Sequence, residues 1–339
     1  MKTLWAISSA SSLISSQTIL PHITLYHSTG ATGCYPALSS GKRRISHSLI
    51  SLRVLTPDIL LLIMPGLVFG TSGIPENTWP KTTMAGIRRV AALGLGCMEI
   101  AFVRGIYLEA AEARAVAGVA RNNKIQISAH APYYINLNSR DPEKVAASQR
   151  RLFKAAQIAN LCGADRLVIH AGHYMGDPPA VVYEIVKAQL MALLENLEED
   201  DNPIVLRPEV SGKVAQFGTF DEITRLSGEL PRLSPCVDFA HWHARSGSFN
   251  SYAEFCGLLD DMQKKLGRGA LDNVHFHVSG IEYGRGGEKK HLPLRESDLR
   301  YEEMVRAWKD YNLQGRIICE SPNHEEDARF LQQLYLKMA

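Results

Sequence analysis

The stretch "PCVDFAHWHAR", residues 235–245, decides how the chain is read. Pro235 to Phe239 have the make-up of a buried strand apart from Asp238, and the strand is expected to run over 234–242. His241 follows three residues after the acid, and His243 two residues later. Burying an acid and two imidazoles at the mouth of an apolar strand is costly unless something compensates them. Whatever compensates them must stand at the ends of the other strands.

Seven more strand-like runs surround this one: 66–74, 97–103, 124–133, 166–173, 203–210, 273–280 and 316–322. Most intervals carry a helical pattern. The clearest opens on Asp141–Pro142–Glu143, a capping residue followed by proline at the first helical position, with Val145, Leu152, Ala156 and Ala159 on one stripe. The last helix has acids in its first turn and Phe330, Leu331, Leu334, Tyr335 and Met338 on one face. Eight strands alternating with helices over roughly 275 residues predict a (β/α)8 TIM barrel. A doubly wound open sheet is the alternative. It usually shows a Gly-rich phosphate turn after the first strand, and "GTSGIPENTWP" is not GxGxxG.

Composition narrows the class. Apolar residues make up 45% and charged residues 21% of 339, the balance of a soluble globular protein. The six cysteines contain no CxxC pair, which excludes a cysteine zinc knuckle and suits a reducing compartment. No apolar run reaches the roughly 18 residues that a membrane helix needs, so no membrane partner is expected. Residues 1–63 hold five Lys/Arg and one acid, leaving 32 basic and 34 acidic residues in the remainder. Bulk charge therefore gives no support for nucleic-acid binding, and no obligate protein partner is inferred. Residues 1–57 contain no acid and twelve serines. They read as a disordered extension outside the fold, or as an organellar transit peptide, or as a weak secretory signal; with the first, the expected location is cytoplasmic. The folded domain is expected over 64–339.

In a TIM barrel, groups at the C-terminal ends of the strands converge on one bowl. Here those ends carry His130, His170, Glu209, Asp238 with His241, His277 and Glu320, and His291 lies in the loop after the seventh strand. Unpaired, these groups would be heavily desolvated; as ligands of divalent cations they are compensated. Imidazole and carboxylate without thiolate suit Zn²⁺ and tolerate Mn²⁺ or Fe²⁺.

In chain order, "SAHAPYYINL", "VIHAGH", "PEVSG", "VDFAH", "HVSG", the "KKH" loop and "CESP" together resemble the endonuclease IV family of abasic-site endonucleases, from about residue 66 to the C-terminus. The resemblance implies three zinc ions and cleavage of double-stranded DNA on the 5′ side of abasic sites in base excision repair, leaving a 3′-hydroxyl. It implies His130, His170 and Glu209 on the first zinc. Glu209, the bridging catalytic carboxylate, would share the second with Asp238, His277 and Glu320. His241 and His291 would hold the third. Tyr133 and, on looser spacing, Arg104 resemble DNA-contacting residues, whereas Asn136 reads as a turn-stabilising side chain.

The sequence departs from the family at the third zinc, where Lys289 occupies the place of the family's Asp and Glu288 stands one residue away. Two tightly held metals and a weaker third are the expectation. His275 competes with His277 as a ligand, with "HVSG" favouring His277, and His243 is expected to be a rim histidine. A sugar isomerase or epimerase of the same superfamily, using one Mn²⁺ or Mg²⁺ on Glu209, Asp238, His277 and Glu320, is the rival enzyme reading. A barrel that only binds damaged DNA is the rival without catalysis.

Overall fold

The computed structural model describes residues 66–338, so the expectation for residues 1–63 lies outside the described residues. Strands β1 (Leu67–Ser72), β2 (Cys97–Ala101), β3 (Gln126–His130), β4 (Arg166–Ile169) and β5 (Val205–Pro208) alternate with helices α1 (Thr83–Ala92), α2 (Ala110–Asn122), α3 (Pro142–Leu161) and α4 (Pro179–Glu199). Helix α5 (Phe220–Glu229), strand β6 (Val237–Asp238), helices α6 (Phe239–Ser246) and α7 (Tyr252–Leu266), and strand β7 (Val274–Val278) follow. A hairpin of β8 (Gly280–Gly284) and β9 (Gly287–Leu292) precedes α8 (Tyr301–Asp310), β10 (Gly315–Cys319) and α9 (Glu325–Lys337).

The parallel strands run in the order β5-β4-β3-β2-β1-β10-β7-β6. Parallel bridges Leu206↔Leu233 and Glu209↔Cys236 join β5 to the chain entering β6 and close the circle. The fold is a (β/α)8 TIM barrel. Among the described residues, no helix is long and apolar enough to cross a membrane.

Strand alternation sorts the side chains. Outward positions such as Ile127, Leu167, Leu206, Val237, Phe276 and Ile317 join the apolar core beneath the helices. The helices supply the other half of that core for reasons visible in sequence. Asp141 caps α3, accepting from Glu143 N at 3.0 Å, and Leu152, Ala156 and Ala159 are buried. Thr219 and Glu222 form a reciprocal capping box on α5. Inward positions carry polar groups at the floor and at the mouth, with Val168 and Ile318 among the apolar ones between them. Arg166, Arg207 and Arg316 are buried near the strands' N-terminal ends, and imidazoles and carboxylates follow above them.

Two expectations are corrected. The sixth strand does not run over 234–242 but stops at Asp238, and helix α6 starts at Phe239. The cause is local: Asp238 is the N-cap, its Oδ1 accepting from His241 N at 2.7 Å. His241 and His243 are therefore helical. The "GRGGEKKH" segment is a strand pair rather than an open loop, with a β-bulge. Glu282 pairs with Lys290 and Tyr283 with Glu288, leaving Lys289 as the extra residue.

Candidate metal centre at the mouth of the barrel

Glu209 stands at the middle of the bowl, only 1% exposed. Its Oε2 lies 3.1 Å from His130 Nε2 and 3.2 Å from His170 Nε2. Its Oε1 lies 3.2 Å from His277 Nδ1 and 3.2 Å from His241 Nδ1. One carboxylate thus faces four imidazoles, with its two oxygens turned to different pairs. Glu320 Oε1 approaches His277 Nδ1 at 3.3 Å. His241 Nε2 and His291 Nε2 are 3.2 Å apart.

Backbone carbonyls fix several of these rings from behind. His130 Nδ1 lies 2.8 Å from Ala131 O, and His291 Nδ1 3.2 Å from Glu320 O. In each case a donated Nδ1–H selects the tautomer whose Nε2 lone pair faces the bowl. His241 Nδ1 likewise meets Val210 O at 3.1 Å.

Three sets of imidazole and carboxylate donors each lie within 4.8 Å of one another: His130, His170 and Glu209; Glu209, Asp238, His277 and Glu320; Asp238, His241 and His291; a fourth, with a thiol, joins Cys236 to His275 and His277. The residues fit divalent cations on their own chemistry. Asp238 Oδ2 and His170 Nδ1 are buried with no hydrogen-bond partner. Two Nε2 atoms facing each other at 3.2 Å share at most one proton and leave a lone pair that a cation would satisfy. Glu209 and Asp238 each belong to two sets, so the three are fused.

Electrostatics record the crowding. Burial drives the His130 imidazole down, but the Glu209 hydrogen bond and charge outweigh it and hold its pKa at about 9. The same contest at His241, won by Asp238 and Glu209, leaves it at about 10. Burial wins at His170, helped by its charged neighbours His130 and His241, and lowers it to about 4. For Glu209, burial is overcome by the surrounding imidazoles, and its carboxyl sits well below the usual range.

The third set holds a correction. Lys289 does not face it: its Nζ turns to Glu282 Oε1 at 3.4 Å, because the bulge at Lys289 shifts the alternation by one. Glu288 then shares a face with His291, and its carboxylate comes 3.6 Å from His241 Nε2 and 3.9 Å from His291 Nε2. The hairpin tip is pinned where Glu288 N donates to Gly212 O at 3.1 Å. A Cβ on Gly212 would meet Glu288 Cβ at 2.8 Å and His241 Cδ2 at 2.9 Å, so only glycine fits there. Gly287, at φ 90°, makes the turn into this contact. Lys289 is thus turned away and Glu288 stands by the third set, so the missing carboxylate on which the expectation of a weaker third metal rested is supplied.

The remaining expectations separate cleanly. His277 lies in the donor layer, and His275 lies one layer below, its Nε2 2.8 Å from Glu99 Oε2. His243 is not a rim residue: it is 2% exposed, and its ring nitrogens meet Ser248 O at 2.7 Å and Asp298 Oδ1 at 3.2 Å. Tyr133 is 57% exposed and overhangs the bowl, its ring centroid 5.8 Å from that of His130. Arg104 is exposed and is not among the residues lining the cavity above the bowl. Asn136 Oδ1 accepts from Asn138 N and His173 N at 3.2 Å each, the turn role expected of it. Glu99 and the three inward arginines were not singled out by sequence, whereas Glu288 was, as the acid one residue from the place of the family's Asp. A lone Glu in the apolar run "CMEIAFV" and one Arg in each of "RLVI", "VLRP" and "GRIIC" were the available signals.

The family model described as xylose isomerase-like TIM barrel matches residues 87–335. An uncharacterized protein of Methanocaldococcus jannaschii is 42% identical over 270 residues, covering 79% of this chain and 97% of that one. A probable endonuclease 4 of Mycoplasma pneumoniae is 24% identical over 203 residues, 58% of this chain and 68% of its own length. Among solved structures, endonuclease IV from Thermus thermophilus covers 81% of this chain and 100% of its own, with a TM-score of 0.62 and 22% identity. A D-tagatose 3-epimerase-like protein has a TM-score of 0.61 at 16% identity, covering 80% and 97%. At such identities the two structures speak for the fold alone. The chain belongs to the xylose isomerase-like TIM barrel family.

Proposed function

We propose that the protein is a divalent-metal-dependent phosphodiesterase acting on damaged double-stranded DNA, cutting the backbone 5′ to abasic sites. The observation that carries this reading is the fusion of three donor sets through Glu209 and Asp238. The single-metal chemistry of a sugar isomerase needs only Glu209, Asp238, His277 and Glu320. It leaves the imidazoles of His130, His170, His241 and His291 without a task. When bound, a cluster of divalent cations acidifies water and neutralises charge developing on phosphate oxygens.

The chain's own residues would do the rest. Glu209 joins two sets, so its loss affects both. Zinc suits the donors, and Mn²⁺ is compatible with them. Lys213 and His173 line the cavity above the bowl and supply a cation and a hydrogen-bonding group where a phosphate would enter. Tyr133, Tyr134 and Trp79, 57%, 66% and 90% exposed, stand on loops following β3 and β1 at the same end of the barrel and offer faces for unstacked bases or sugars.

The test is metal analysis joined to a nicking assay on an abasic-site duplex, with ketoses as a parallel arm. Scission 5′ to the lesion leaving a 3′-hydroxyl, without borohydride-trappable adduct, supports the proposal. Ketose epimerisation without scission would assign the barrel to sugars. Binding of damaged duplex without scission in added zinc would leave only recognition.

A further inference from the structure

Glu99 lies beneath the bowl, fully buried on β2, and the metal-centre reading gives it no role. Its Oε2 accepts from Ser128 Oγ at 2.9 Å and from the His275 ring at 2.8 Å. Its Oε1 lies 3.1 Å from His277 Nε2. The last contact is not aligned as a hydrogen bond, and neither atom has any other partner. On the opposite edge of the same ring, Nδ1 meets Glu209 and Glu320. His277 is therefore held between two carboxylate layers, one in the bowl and one below it.

We infer that Glu99 is a positioning residue for His277: it takes the Nε2–H of that ring, so that the unprotonated Nδ1 is presented to the metal set of Glu209, Asp238 and Glu320. The inference rests on that metal-centre reading. An imidazole ligand whose far nitrogen is engaged by a carboxylate is fixed in tautomer and orientation and becomes a stronger donor. The arrangement differs from that of His130 and His291, whose far nitrogens meet neutral carbonyls. Of these rings, His277 alone has an anion behind it. His275 and Ser128 brace that anion from the side: both bond Oε2, leaving Oε1 for His277. Cys236 competes for the same space, offering its sulfur within 4.8 Å of ring nitrogens of His275 and His277.

Two measurements test this on the full chain. In the ¹⁵N-histidine spectrum of the Zn²⁺-loaded wild type, His277 is expected as the Nε2–H tautomer; an Nδ1–H tautomer would overturn the assignment. Co²⁺ binding is then followed by competition with a chelating dye and by visible absorption. In Glu99→Gln, Co²⁺ affinity of one set should fall about 10- to 100-fold with an altered d–d spectrum, the other sets staying within twofold. Glu99→Asp should restore part of the loss. Unchanged Co²⁺ binding in a cooperatively folded Glu99→Gln protein would overturn the inference. So would a Co²⁺–thiolate charge-transfer band, which would put Cys236 at His277 instead. If the wild type takes up no metal at all, it is the metal centre that fails and not Glu99 alone.

Discussion

The floor and the mouth of this barrel both bury charge, and they neutralise it in different ways. At the floor, Asp165 receives two hydrogen bonds from Arg316, at 2.6 and 3.0 Å, and two from Arg166, at 3.1 and 3.0 Å. Arg207, with no carboxylate bonded to it, donates to the carbonyls of Pro235 and Asn273 at 3.0 and 2.9 Å. Its guanidinium pKa lies well below the usual arginine range because it is buried beside Arg166. At the floor, then, Asp165, Arg166 and Arg316 find their partners within the chain, while Arg207 is held by carbonyls alone and leaves its Nε without a partner. At the mouth, Glu209, Asp238, Glu288 and Glu320 surround imidazoles that are neutral whenever they ligate a metal, and Asp238 Oδ2 has no hydrogen-bond partner. Buried charge completed by its own chain serves stability; buried charge left incomplete awaits a cation.

Substitutions at the two ends should separate these roles. Glu209→Gln should bring nicking of abasic duplex to background while far-ultraviolet dichroism and metal-free unfolding remain those of the wild type; activity within tenfold would remove Glu209 from the centre. Glu288→Gln should lower the metal content by one equivalent under mild chelation and weaken that equivalent by at least about tenfold, and Gly212→Ala should do the same by displacing Glu288. A full metal complement in both variants would leave the third set to Asp238, His241 and His291.

The mouth also predicts a pH dependence. His130 at about 9 and His241 at about 10 are protonated at neutral pH in the metal-free chain. His277 is likewise raised well above the ordinary imidazole value despite its burial, so zinc uptake at pH 7 should release about three protons, and affinity should climb up to that range. The folded values of His130 and His241 both lie above the ordinary imidazole value. Their contribution to metal-free stability is thus full below pH 6.5 and lost as pH rises through about 9 to 10. Glu209, depressed, contributes above the ordinary carboxyl range and loses that contribution in acid. Calorimetry in buffers of different ionisation heat and metal-free melting against pH would check both.

At the floor, Arg316→Ala should cost about 1.5–3 kcal/mol of stability, because it removes charge-assisted bonds to a carboxylate that water and Arg166 can still reach. Activity per folded molecule should not change. The smallest effect belongs to Lys289→Ala: metal content and nicking should equal wild type, since the bulge turns that side chain away.

Much of this was legible in the chain because alternation and strand-end placement are written residue by residue. All eight barrel strands fall within the runs read from sequence, give or take a residue, and the donors His130, His170, Glu209, His277 and Glu320 sit where that pattern puts them. The misses share a cause. Asp238 caps a helix, a choice that the apolar run of "VDFAHW" leaves open. Glu288 reaches its place through a one-residue bulge that no periodicity encodes. Glu99 looked like a lone polar residue in an apolar strand, and only the inward face of β2 shows its partners.

The cap at Asp238 works as a ruler. One oxygen of this carboxylate is bound to the backbone of His241, so the separation between the strand-borne donors and the helix-borne one is written in main-chain geometry rather than in packing. Fraying of the short helix 239–246 would carry His241 away while leaving the strand ends in place. Metals should then leave the protein in a fixed order on warming, the one touching His241 first, in step with the hydrogen exchange of that helix.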